Sequence, residues 1–99
     1  MKGFVLDPLA EEDLKEAATY YEAKVSGLGD DFLDEVFALI ERLVAFPESG
    51  SRKTKIVRVA RVRRFPYDVI YKIDKELDQI FVLAISDQRR KPGLWKKRL

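Results

Sequence analysis

The chain has no cysteine and no histidine. The first absence excludes disulfides, thiolate nucleophiles and cysteine metal sites, and it suits a reducing compartment. The second removes the commonest general acid/base near neutral pH and the commonest metal ligand, so any enzymatic reading must rest on other groups. No apolar run approaches the roughly 20 residues of a membrane span. The opening MKGFVLDPLAEED is too acidic for a signal peptide. Repeats and low-complexity tracts are missing as well. What remains is a single domain over residues 1–99, expected to be soluble and cytoplasmic, with no cofactor, no metal and no membrane contact. Glu12 and Glu16 stand one helical turn apart, but no third ligand joins them.

Charge is present in quantity and unevenly placed. Residues 1–50 hold 4 Lys/Arg against 12 Asp/Glu, and residues 51–99 hold 15 against 5, so the halves carry −8 and +10 within a net charge of +2. Long charged side chains that cover a solvated surface and pair between halves account for part of this. A basic face turned to an anionic partner, nucleic acid or an acidic protein segment, accounts for the rest.

The densest stretch runs from Arg61 to Trp95. Tyr67, Val69, Tyr71 and Ile73 alternate with Asp68, Ile70 and Lys72, the period-two pattern of a half-buried strand. In the following run Ile80, Val82 and Ala84 fall on one side and Phe81, Leu83 and Ile85 on the other, which predicts a central strand covered on both faces. Asp74 to Asp78 form a short polar hairpin loop. Upstream, Lys2 to Leu6 reads as a short strand. Asp7, Pro8 and the acidic turn Glu11, Glu12, Asp13 start a helix that reaches about Val25. SGLG interrupts it, and a second helix is expected from Asp30 or Asp31 to Ala45, striped by Phe32, Val36, Leu39, Ile40 and Leu43. ESGSRKTK reads as a polar loop, and Lys55 to Phe65 as a strand with a bulge or bend near Ala60 and Arg61, because Val62 breaks the parity of Val57 and Val59. Past Ile85 the strand pattern is lost. The order strand, helix, helix, three strands predicts an α+β layer: a two-helix hairpin on a small, mainly antiparallel sheet.

Six pieces in order carry a family resemblance: YYE at Tyr20 to Glu22, GLG with Phe32 and Leu33, Pro47 and Gly50, RRFPYDVIY from Arg63, VLAI from Val82, and RRKPGLW from Arg89. Together they resemble the ParE branch of the RelE/ParE toxins of type II toxin-antitoxin systems, a group that includes plasmid-stabilisation toxins. The resemblance implies the layout just derived and a cognate ParD-like antitoxin that holds the toxin inactive in a hetero-oligomer. RelE-like members cut mRNA on the ribosome, whereas ParE-like members block DNA gyrase by binding. Where many relatives read H-x-RR-x-P-x-YW, this chain has Asp87, Arg89, Arg90, Pro92, Leu94 and Trp95, lacking both the His and the Tyr.

Cleavage through a ribose 2′-hydroxyl needs a base and an acid of workable pKa, and arginine stays protonated. Lys53, Lys55 or Lys91 would serve only if strongly depressed. Three functions therefore stand, the first preferred: a gyrase-directed binding toxin with no catalytic residues, a ribosome-dependent endoribonuclease, and a non-toxic member that only binds its antitoxin. Target-contact candidates are Arg89, Arg90, Lys91 and Trp95, with Arg61, Arg63 and Arg64, because guanidinium forks grip carboxylates or phosphates and an indole anchors interfaces. Antitoxin-contact candidates are Tyr20, Tyr21, Arg58 and Arg61. Against these stand simpler roles: charges protecting a strand edge, Trp95 capping the core, and one of the two tyrosines buried.

Overall fold

The computed structural model describes residues 1–90 and 93–99. The chain runs β1 (Gly3–Leu6), α1 (Pro8–Lys24), α2 (Leu28–Ala45), β2 (Ser51–Arg52), β3 (Val57–Arg61), β4 (Tyr67–Asp74), β5 (Gln79–Asp87) and a 3-10 helix, Leu94–Arg98. The five strands form one sheet in the order β1-β5-β4-β3-β2, with β1 parallel to β5 and the other pairs antiparallel. Among the described residues no helix is long and apolar enough to cross a membrane.

Local chemistry sets the helix ends. Asp7 caps α1, its carboxylate accepting the Leu9 amide at 2.8 Å, with Pro8 in the first turn where a missing N–H costs nothing. The turn between the helices is tighter than GLG alone implies. Gly27 sits at φ 87°, and the Glu22 carboxylate accepts the amides of Gly27 and Gly29, the latter at 3.0 Å. This negative charge stands over the amides that open α2 and carries the helix start back to Leu28, ahead of the expected Asp30 or Asp31. Gly29 has no room for a side chain, since a Cβ would lie 2.7 Å from the Ala18 carbonyl oxygen.

The helices cover one face of the sheet. Phe32, Val36, Ile40 and Leu43 of α2 are fully enclosed, each burial stabilising by about 1.5–3 kcal/mol. Tyr21, Phe32, Phe65 and Tyr67 form an aromatic box with ring centroids 4.8–6.1 Å apart, each pair adding about 0.5–1.5 kcal/mol. Three of the six sequence pieces thus meet in one cluster that ties the helix hairpin to the sheet. The opposite face has its own smaller core of Val57, Ile70, Leu83, Ala84 and Trp95.

Of the bulge or bend expected near Ala60 and Arg61, the bulge is not there, and the chain bends just past the strand, at residues 63–66. β3 pairs with β4 in unbroken register and ends at Arg61. Val57 and Val59 face the far core, whereas Ala60 and Val62 face the helices, so the apparent slip in parity is a strand with apolar partners on both sides. The register break lies in β5, where Ile70 pairs with Ala84 but Tyr71 with Val82. Leu83 is the extra residue, and it turns Ile85 to the helix side with Ile80 and Val82 while Ala84 goes to the far side. The polar loop contains the short edge strand β2, β5 continues to Asp87, and the tail folds as a 3-10 helix.

Candidate functional site

β1 pairs with β5 only as far as Val82. Beyond it α1 lies beside β5, and side chains take over the ladder. Asp13 accepts the Ile85 amide at 3.1 Å, and Arg98 donates to the Leu83 carbonyl at 3.1 Å. The end of β5 is therefore flanked by two clefts, one on each face of the sheet.

The helix-side cleft, about 310 Å³, lies between α1 and the end of β5. Asp13, Glu16, Ala17 and Tyr20 line one wall, and Tyr67, Ile85, Asp87, Arg89 and Arg90 the other. Arg89 holds Asp87 in a fork, Nε to Oδ1 at 2.9 Å and NH2 to Oδ2 at 3.0 Å, while its own amide donates to Oδ1 at 2.9 Å. These bonds hold the Asp87 carboxyl below its ordinary range and push the Arg89 guanidinium up. Burial pushes the Tyr67 phenol up, with the Asp87 charge adding to it. Tyr21 is likewise raised by burial, against the pull of nearby Arg89. Its enclosed hydroxyl makes no hydrogen bond among the described residues.

The far-side groove, about 600 Å³, is floored by Val59, Ile70 and Trp95 and rimmed by Lys53, Arg61, Arg90 and Lys96. Its acids are already engaged. Asp68 accepts Gln88 Nε2 at 2.8 Å, and Asp87 is held by Arg89. Arg90 and Asp87 line both clefts.

The fold brings together some of the residues expected in a site and separates others. Arg61 and Arg90 meet in the groove, and Tyr20, exposed and under Lys24, borders the helix-side cleft. Arg63 is exposed at the β3–β4 connection. Arg64, at φ 73°, faces α2, 3.7 Å from Asp31 and 3.9 Å from Glu35. Arg58 is a structural clamp, donating to the carbonyls of Glu48 and Gly50 at 3.1 and 2.8 Å. Tyr21 is core. Trp95, read either as a target anchor or as a cap on the core, is 8% exposed, because the 3-10 helix presses its indole onto the far core. Lys91 lies outside the described residues. Sequence reasoning missed Asp13, Asp87, Lys96 and Arg98. For Asp87 the Asp-x-Arg spacing, which allows an Asx turn closed by the arginine, was the available signal.

A family model described as ParE toxin of type II toxin-antitoxin system, parDE, matches residues 4–92. No curated protein matches the chain in sequence. Among solved structures the fold is similar to a chain described as the chromosomal ParDE TA system from P. aeruginosa, with a TM-score of 0.71 and 18% identity, covering 88% of this chain and 95% of that one. Two helices on a mixed five-stranded sheet, with a match spanning nearly the whole sequence, place the chain in the ParE toxin family of type II toxin-antitoxin systems.

Proposed function

We propose that this ParE-family chain is a toxin that acts by binding DNA gyrase and is neutralised by a ParD-like antitoxin in a hetero-oligomeric complex. The observation that carries the reading is the state of the groups around the far-side groove. The Asp87 carboxyl is held below its ordinary range by Arg89, and Asp68 is engaged by Gln88. A general base needs a pKa near the working pH, and the arginines beside these groups stay protonated. Such a groove suits docking better than proton transfer. Arg61 and Arg90 in the far-side groove are the proposed target contacts, and Tyr20 in the helix-side cleft the proposed antitoxin contact.

Lys53 on the groove rim is the observation behind a second reading, ribosome-dependent mRNA cleavage. Inducible expression in bacteria, with and without the antitoxin, separates the two. Filamentation and an active DNA-damage reporter with intact mRNA are expected. Growth arrest with codon-phased mRNA cuts would refute gyrase as the target, and no phenotype in a sensitive host would leave a member that only binds its antitoxin.

A further inference from the structure

The far side of the sheet carries a cationic rim around a partly apolar floor, and the helices with most of the chain's carboxylates lie on the other side. Four cations, Lys53, Arg61, Arg90 and Lys96, surround a trough whose floor includes half-buried Val59. Two carboxylates, Asp68 and Asp87, stand among them. We infer that this groove is a docking site for an acidic peptide segment of the partner protein; the inference rests on the reading that the groove faces the target.

Three features select a peptide over a nucleic-acid strand. A continuous row of phosphates would pass over Asp68 and Asp87, whereas a peptide can place carboxylates opposite the arginines and uncharged residues opposite the aspartates. Binding of single strands draws much of its energy from bases stacked on exposed aromatic rings, and Trp95, the aromatic residue on the floor, is 8% exposed with its indole spent on the core. Finally, half-buried Val59 offers apolar surface to an aliphatic side chain between acidic ones, a contribution no sugar-phosphate backbone can use. Guanidinium forks at Arg61 and Arg90 would bind carboxylates through paired hydrogen bonds.

The test uses the full-length protein, fluorescein-labelled oligoglutamate and fluorescein-labelled oligothymidylate in anisotropy titrations, with gyrase supercoiling measured on the same preparations. Arg61→Glu and Lys96→Glu should each weaken oligoglutamate binding roughly tenfold, a loss of about 1.4 kcal/mol. Lys75→Glu, the same charge change in the exposed β4–β5 turn, should leave it within about twofold. Circular dichroism confirms that each variant is folded. Equal losses at Lys75, tighter binding of oligothymidylate, or no oligoglutamate binding would overturn the inference. Gyrase inhibition without oligoglutamate binding would sink the acidic segment alone, whereas groove-dependent peptide binding without gyrase inhibition would sink the gyrase reading alone.

Discussion

Arg98 grips Asp13, 85 residues earlier in the chain, through NH1 to Oδ2 at 2.6 Å and NH2 to Oδ1 at 3.0 Å. The pair joins the tail to α1 and closes the edge of β5 that β1 leaves open. Both side chains are little exposed, 22% and 21%, so solvent screens the interaction only in part. Arg98→Ala should cost about 1.5–3 kcal/mol in urea unfolding, with Asp13→Ala at least as costly because it also strands the Ile85 amide. The double variant should cost less than the sum, as expected for one network. Full additivity would mean that the tail is not latched in solution.

Tyr71 performs a similar task just past the C-terminus of α2. Its hydroxyl donates to the Pro47 carbonyl at 2.7 Å and accepts the Gly50 amide at 3.0 Å, while Arg58 holds the neighbouring carbonyls. Tyr71→Phe should lose about 1–3 kcal/mol by leaving both groups without their partner. Gly50→Ala should be at least as harmful, since its Cβ would overlap the Tyr71 hydroxyl. Thermal unfolding of the two variants checks this, and an unchanged melting temperature for Gly50→Ala would contradict the close approach.

The Asp87–Arg89 fork predicts an acid dependence. Asp87 has a lower pKa folded than its ordinary value, so the stability it contributes is present above the unfolded carboxylate pKa of about 3.9 and is lost as pH falls through the depressed value. Asp87→Asn should therefore be less stable than the parent at about pH 5, and the gap should narrow as pH falls toward about pH 2. A gap independent of pH in urea titrations would show that the fork is not formed.

Arg90 borders both clefts and Arg61 only one. Arg90→Glu should weaken both the antitoxin and the gyrase interactions, whereas Arg61→Glu should weaken gyrase binding and leave the antitoxin within about twofold. Surface plasmon resonance with each partner reads the split. Equal effects of the two variants on both partners would remove the division between clefts. Truncation after Ile85 is a poor substitute for these point changes, because it deletes Trp95 from the far core and Arg98 from the latch.

The layered fold was legible because its signals are local and periodic: the Asp7–Pro8 helix start, the α2 stripe and the alternation of β4 each follow from a few neighbouring residues. What stayed hidden depends on contacts distant in sequence. The Leu83 bulge is invisible in a strand apolar on both faces, since either parity looks equally good. The start of α2 depends on Glu22 reaching forward from the preceding helix. Among the candidate contacts, Arg61 and Arg90 converge, but Arg58, Arg64 and Arg89 are drawn into internal pairings. Nothing in an arginine's own neighbourhood announces that its partner lies across the fold.

Gyrase supercoiling with the purified protein is the most direct measurement, run beside a translating extract in which mRNA integrity is followed. Relaxed plasmid should persist in proportion to added protein, supercoiling should return when the antitoxin is added, and the mRNA should stay intact. Normal supercoiling together with cleaved mRNA would contradict the gyrase-binding function and assign the groove to RNA.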